Sequence, residues 1–166
     1  MQSHLNYGLH IYIWGSSTSI GKVLVSQKKS MRIINNSAYN FHTESLLKSC
    51  QILPVTDQYK FNVQKFMYQH KHGILPRSFS NLDYFASSDK PQTRQYNLAN
   101  CTRCRTKFTS LLPLHMFPKI WNELGSCYQE NISLGKFKSA VRVHYLSTYR
   151  SSVRCQNTRC RQCFAD

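Results

Sequence analysis

The chain has 166 residues and a formal net charge of +15, from 22 Lys and Arg against seven Asp and Glu. Contents of 41% hydrophobic and 13% aromatic residues exclude wholesale disorder and leave material for one compact core. No apolar run approaches the roughly 20 residues that span a bilayer, and seven cysteines, an odd number, form no disulfide-like framework.

In chain order, Leu5–Trp14 reads as the end of an apolar element, with Tyr7, Leu9, Ile11 and Ile13 alternating in a period that fits a strand or a truncated helix. Gly15-Ser16-Ser17-Thr18-Ser19-Ile20-Gly21-Lys22 is one residue too long for a phosphate-binding loop. Val23 also stands where a magnesium-ligating Ser or Thr would be, so the stretch reads as a turn before a helix. Ile20, Val23, Leu24, Gln27, Met31 and Ile34 then recur at helical spacing, with Lys22, Lys28, Lys29 and Arg32 on the remaining faces. Thr18 or Ser19 can cap this helix, and Asn35-Asn36 stops it.

Thr43 and Glu44 open a short second helix ending near Ser49-Cys50. After Pro54, the residues Val55, Tyr59, Val63, Phe66, Met67 and His70 mark a longer third helix, closed by Gly73 and Pro76. From Ser78 to Phe108 polar residues dominate and aliphatics are sparse, which predicts an irregular arm. Pro118-Lys119-Ile120-Trp121-Asn122 reopens order, and Leu134, Phe137, Val141, Tyr145 and Tyr149 give a last amphipathic helix with Ser133 as its cap. The expected fold is mainly α: a small helical bundle, an irregular basic arm, further helices and a Cys-containing tail.

The charge points to a polyanionic partner, since a chain this basic repels itself until neutralised. Nucleic acid fits best, because each neutralised phosphate releases counterions. An anionic membrane fits less well, as the basic residues are not gathered on one amphipathic helix, and no membrane partner is expected. Basic residues interleave with aromatics in two stretches. One holds Lys28, Lys29, Arg32 and Tyr39, the other Arg94, Tyr96, Arg103, Arg105, Lys107 and Phe108. Such a pattern supplies cations for phosphates and planes for unpaired bases. For Tyr39 and Phe108, ordinary packing is the competing reading.

Catalytic patterns are missing from the sequence. Asp57, Asp83, Asp89, Asp166, Glu44, Glu123 and Glu130 are scattered, whereas nucleotidyl transfer needs acidic residues that jointly hold two metal ions about 4 Å apart. Neither a Gly-x-Ser-x-Gly elbow nor a His-Glu-x-x-His motif occurs. No residue is assigned a catalytic role, and the chain is not expected to be an enzyme by itself.

Two C-x-x-C pairs, Cys101/Cys104 and Cys160/Cys163, have the spacing with which two thiolates reach one zinc ion, but 55 residues separate them. A local zinc site of Cys155, Cys160 and Cys163 with His144 is the candidate metal centre, and free thiols are the alternative. Met1-Gln2-Ser3-His4 lacks a basic n-region, so an intracellular chain, cytoplasmic or nuclear and not secreted, is expected.

Several of these stretches resemble one family. They are Leu5-Asn6-Tyr7-Gly8, Trp14-Gly15, Gln27-Lys28-Lys29-x-Met31-Arg32-Ile33-Ile34, His42-Thr43, Leu53-Pro54 and Phe66-Met67-Tyr68. Thr93-Arg94, Arg103-x-Arg105-Thr106, Pro118-Lys119-Ile120-Trp121-Asn122 and Phe137-Lys138 follow in the same order. Together they resemble the C-terminal region, thumb and beyond, of jockey-like non-LTR retrotransposon reverse transcriptases, which are RNA-directed DNA polymerases. The resemblance implies a thumb-like helical region over 1–77, a basic arm over 78–117, a helical segment over 118–149 and a tail over 150–166. It further implies a fragment without the palm that binds RNA, an RNA–DNA hybrid or a DNA duplex, with the missing polymerase portion as a second partner. The residues expected to hold nucleic acid are Lys28, Lys29, Arg32, Tyr39, Arg94, Arg103, Arg105 and Lys107. A zinc-stabilised interaction module and a nonfunctional transposon remnant are the alternatives.

Overall fold

The computed structural model describes residues 17–79, 81–85, 98–125, 128 and 133–148. Six α-helices and one 3-10 turn form the described part: α1 (Ser17–Ile34), α2 (Thr43–Ser49), α3 (Val55–Lys71), the turn Arg77–Phe79, α4 (Lys107–Ser110), α5 (Pro113–Asn122) and α6 (Leu134–Thr148). No strand occurs among the described residues, so the fold is mainly α, as the hydrophobic spacing predicts. The apolar element expected at Leu5–Trp14 lies outside the described residues.

Helix α3 is the centre of the bundle. It packs against α1, α5 and α6, while α2 lies on α1 and the short α4 leads into α5. Its predicted stripe is the buried one: Val55, Tyr59, Val63 and Met67 are all buried, joined by Gln64 and Tyr68. Trp121 from α5 and Phe137 and Val141 from α6 complete the core with no exposed surface. Tyr68 stacks on Phe137 with centroids 4.3 Å apart, and Trp121 lies 6.2 Å from Phe137. Burying side chains of this size is the main favourable term for a chain this small.

Three helices end in the same way. In each, the residue after the cap takes positive φ (Asn36 at 52°, Gln51 at 51°, Gly73 at 64°). In each, the next amide reaches back to the last turn: Ser37 N–H to Arg32 O at 2.9 Å, Ile52 N–H to Leu47 O at 2.8 Å and Ile74 N–H to Gln69 O at 2.9 Å. This Schellman geometry satisfies helix-end carbonyls that otherwise lack donors. Asn36 and Gly73 are the stops the sequence predicts. Gln51 is not, because its side chain gives no sign of a left-handed backbone.

The start of α3 is capped from a distance. Its first N–H, on Val55, donates to Gln27 Oε1 at 3.0 Å, and Gln27 Nε2 donates to Leu53 O at 3.0 Å. One buried amide on α1 thus brackets Pro54, which has no N–H to offer, and ties the Gln27 and Leu53-Pro54 stretches together.

Three sequence expectations change. Ile34, placed on the buried stripe of α1, is 68% exposed. The buried face runs at four-residue steps through Gln27 and Met31 to half-buried Asn35, whose Nδ2 donates to Met31 O. Helix α5 begins at Pro113, ahead of Pro118. Proline at the first helical position is pre-organised and loses no bond there, so Pro113 starts the helix. Pro118 sits inside it, buried. The preceding segment, read as a loop without core contacts, contributes buried Tyr84 and Ala99. Asn122 clasps Ala99 with both ends of its amide: Ala99 N–H donates to Oδ1 at 2.8 Å, and Nδ2 donates to Ala99 O at 3.0 Å.

Candidate nucleic-acid interface

Where α1 ends, the chain folds back beside its last turn and leaves an open groove of about 560 Å3. Lys29, Arg32 and Ile33 line it from the helix, and Asn36, Ser37, Ala38 and Tyr39 from the loop. The local sequence builds this shape. Asn is one of the few side chains that accept the left-handed backbone without much cost, and Asn36 in that conformation reverses the chain. A turn bond from Phe41 N–H to Ala38 O at 2.9 Å then fixes the tip that carries Tyr39.

Arg32 ties loop to helix. Its Nε donates to Phe41 O at 3.0 Å, and its guanidinium carbon lies 5.8 Å from the centroid of the Tyr39 ring, within reach of a cation–π attraction. With Nε engaged, the two Nη groups have no acceptor among the described residues and can receive an anion in a two-pronged bond. Lys29 is exposed one turn earlier, and Tyr39 is 76% exposed. Neither Lys28, Lys29 nor Arg32 faces a carboxylate partner among the described residues, where Lys60 and Glu123 pair at 2.8 Å.

Of the eight residues expected to hold nucleic acid, the structure brings Lys29, Arg32 and Tyr39 together. Lys28 stands on the same helix one turn before Arg32, half-buried and outside the groove lining. Arg103, Arg105 and Lys107 are exposed on the segment that enters α4, next to Phe108, which is 74% exposed. For both Tyr39 and Phe108 this exposure decides against ordinary packing. Arg94 lies outside the described residues. Four lining residues were not expected from the sequence: Ile33, Asn36, Ser37 and Ala38. The signal for them was the Asn35-Asn36 stop, which implies a reversal that brings the next residues alongside the helix.

The candidate zinc ligands Cys155, Cys160 and Cys163 lie outside the described residues. The fourth, His144, is half-buried on α6 with its Nδ1 3.5 Å from the Tyr128 hydroxyl. Cys101 and Cys104 are thiols: Asn122 Nδ2 lies 3.4 Å from Cys101 Sγ, and Cys104 Sγ donates to Thr102 O at 3.7 Å. Among the described residues no three of His, Cys, Asp and Glu gather as a metal-holding group, and no helix is long and apolar enough to cross a membrane.

No protein-family model, curated protein or solved structure matches this chain.

Proposed function

We propose that this chain binds nucleic acid and does not catalyse a reaction by itself. It grips RNA or a template–primer duplex in the manner implied by its resemblance to the C-terminal region of a retrotransposon reverse transcriptase. The observation that carries the reading is the groove at the end of α1, where two cations on the helix and an exposed aromatic ring on the following loop are held side by side. The net charge of +15 supplies the long-range attraction, and the exposed Arg103, Arg105 and Lys107 add further phosphate contacts.

The test is fluorescence anisotropy of a labelled structured RNA across a salt series, with heparin as competitor. Any chain of this charge binds polyanions at low salt, with log K falling steeply against log salt. The reading requires binding that persists near physiological salt and resists heparin. Binding lost equally to heparin and RNA would leave only diffuse charge and overturn it.

A further inference from the structure

Resting on the nucleic-acid reading above, we propose that the α1 groove is a seat for one unpaired nucleotide, with its base stacked on Tyr39 and its phosphate held by Arg32 and Lys29. A ring that is 76% exposed on a tethered loop keeps open stacking surface beyond the part that Arg32 covers. The loop is fixed on both sides: Ser37 N–H bonds Arg32 O before the ring, and Arg32 Nε bonds Phe41 O after it. Tyr39 is therefore presented in place, and little ordering entropy is lost when a ligand arrives.

The lining sorts by chemistry in the way a nucleotide requires. Tyr39, Ala38 and Ile33, which is 77% exposed, offer apolar surface to a base. Asn36 and Ser37 offer hydrogen-bonding groups to a base edge or ribose, and Lys29 with the Nη groups of Arg32 offers charge to a phosphate. The volume of about 560 Å3 is in the range of roughly 300–1,000 Å3 typical of small-ligand sites. Inside a duplex both faces of a base are covered by its neighbours, so only an unpaired base can stack on Tyr39. The groove thus selects single-stranded nucleic acid or a splayed nucleotide beside a duplex, while Arg103, Arg105 and Lys107 act on phosphates regardless of strandedness. A protein partner seated on Ile33 and Tyr39 is the rival occupant.

The experiment compares a short fluorescent single-stranded RNA with the same strand in a blunt duplex, using wild type, Tyr39→Ala, Tyr39→Phe, Lys29→Ala and Arg32→Ala. Because Tyr39 is exposed, its variants should melt like wild type, and circular dichroism checks this. Tyr39→Ala is expected to weaken single-strand binding by roughly tenfold, leave duplex binding within twofold and keep the salt slope, since stacking releases no counterion. Tyr39→Phe retains wild-type affinity. Lys29→Ala and Arg32→Ala each lower the salt slope on the single strand by about one.

The seat is overturned if Tyr39→Ala weakens both RNAs equally or neither while wild type still binds RNA in the presence of heparin. An effect on neither RNA would leave the exposed ring to a protein partner, and an equal effect on both would make it a contact indifferent to strandedness. Wild type that fails to hold either RNA against heparin overturns the underlying nucleic-acid reading instead.

Discussion

The phenol of Tyr145 on α6 donates to Oε1 of Gln64 on α3 at 3.0 Å, across 81 positions of chain. Gln64 is 1% exposed, and its Nε2 donates in turn to Ile120 O on α5 at 3.2 Å. That carbonyl lies in the last turn of α5, where no later helical amide is in place to reach it. A single buried amide therefore ends one helix and binds another. A polar group in this position costs several kcal/mol only when unpaired, and here both ends are paired.

Replacing Tyr145 with Phe leaves Gln64 Oε1 without its donor, and a loss of about 1–2 kcal/mol is expected at neutral pH by urea denaturation. Burial pushes the Tyr145 phenol up to about 12 from its ordinary 10.0. Below pH 10 both folded and unfolded chains keep the proton, and the bond contributes fully. As pH rises from 10 towards 12 the unfolded chain ionises first and is favoured. The advantage of wild type over Tyr145→Phe should therefore shrink through that window, and an unchanged gap would contradict the assignment.

Gln27→Ala removes the partners of Val55 N–H and Leu53 O together. Each buried group left unpaired costs about 1–3 kcal/mol, so the variant should lose at least about 2 kcal/mol. Hydrogen exchange at Val55 should accelerate by a larger factor than in α6. Equal acceleration throughout would mean that the amide does not cap α3 locally.

Left-handed backbone costs a side chain about 1 kcal/mol that glycine does not incur. Gln51→Gly should accordingly raise stability by about 0.5–1 kcal/mol, since Gln51 has φ 51°. Gly73→Ala should lower it by about 1 kcal/mol. A methyl at Gly73 would meet nothing within 4 Å, so that loss comes from the backbone alone. Thermal melts of the two variants should move in opposite directions.

Lys60 and Glu123 pair at 2.8 Å with 42% and 56% of their side chains exposed. Solvent screening leaves such a pair less than about 0.5 kcal/mol, and Lys60→Ala should fold almost as stably as wild type. Phe137→Ala empties a site with no exposed surface, between Tyr68 and Trp121. A loss of about 3–5 kcal/mol is expected. Denaturant midpoints for the two substitutions separate a surface pair from core packing.

Helix positions were legible wherever an apolar stripe met a chemical stop. Val55, Tyr59, Val63 and Met67 with Gly73 mark α3 from both its period and its end. The stripe rule fails at Ile34, because helical drift carries the buried face on to Asn35, a polar residue that hydropathy does not count. Gln27 was legible on the stripe of α1, but its bonds, like those of buried Gln64, reach backbone groups 26 and 56 positions away, which local spacing cannot reveal. In the groove, Lys29, Arg32 and Tyr39 were readable as a basic–aromatic stretch. Their assembly beside Asn36 depends on a backbone angle, and composition does not encode one. Tyr84 and Ala99 enter the core from a polar stretch with no periodicity, and Asn122 anchors Ala99 from a helix 23 positions further along the chain.

The Gln27 clamp also sets the rotational phase of α1. If the helix slipped by one residue, Lys28 or Ser26 would face Leu53 and Val55. An ammonium has no acceptor for the Val55 amide, and a serine hydroxyl is too short to bridge both groups. Neighbouring phases are therefore closed at this contact, in the same register that buries Met31 and brings Arg32 to Phe41. Lys29 and Arg32 are held like teeth on a shaft, keyed to the start of α3 through Gln27.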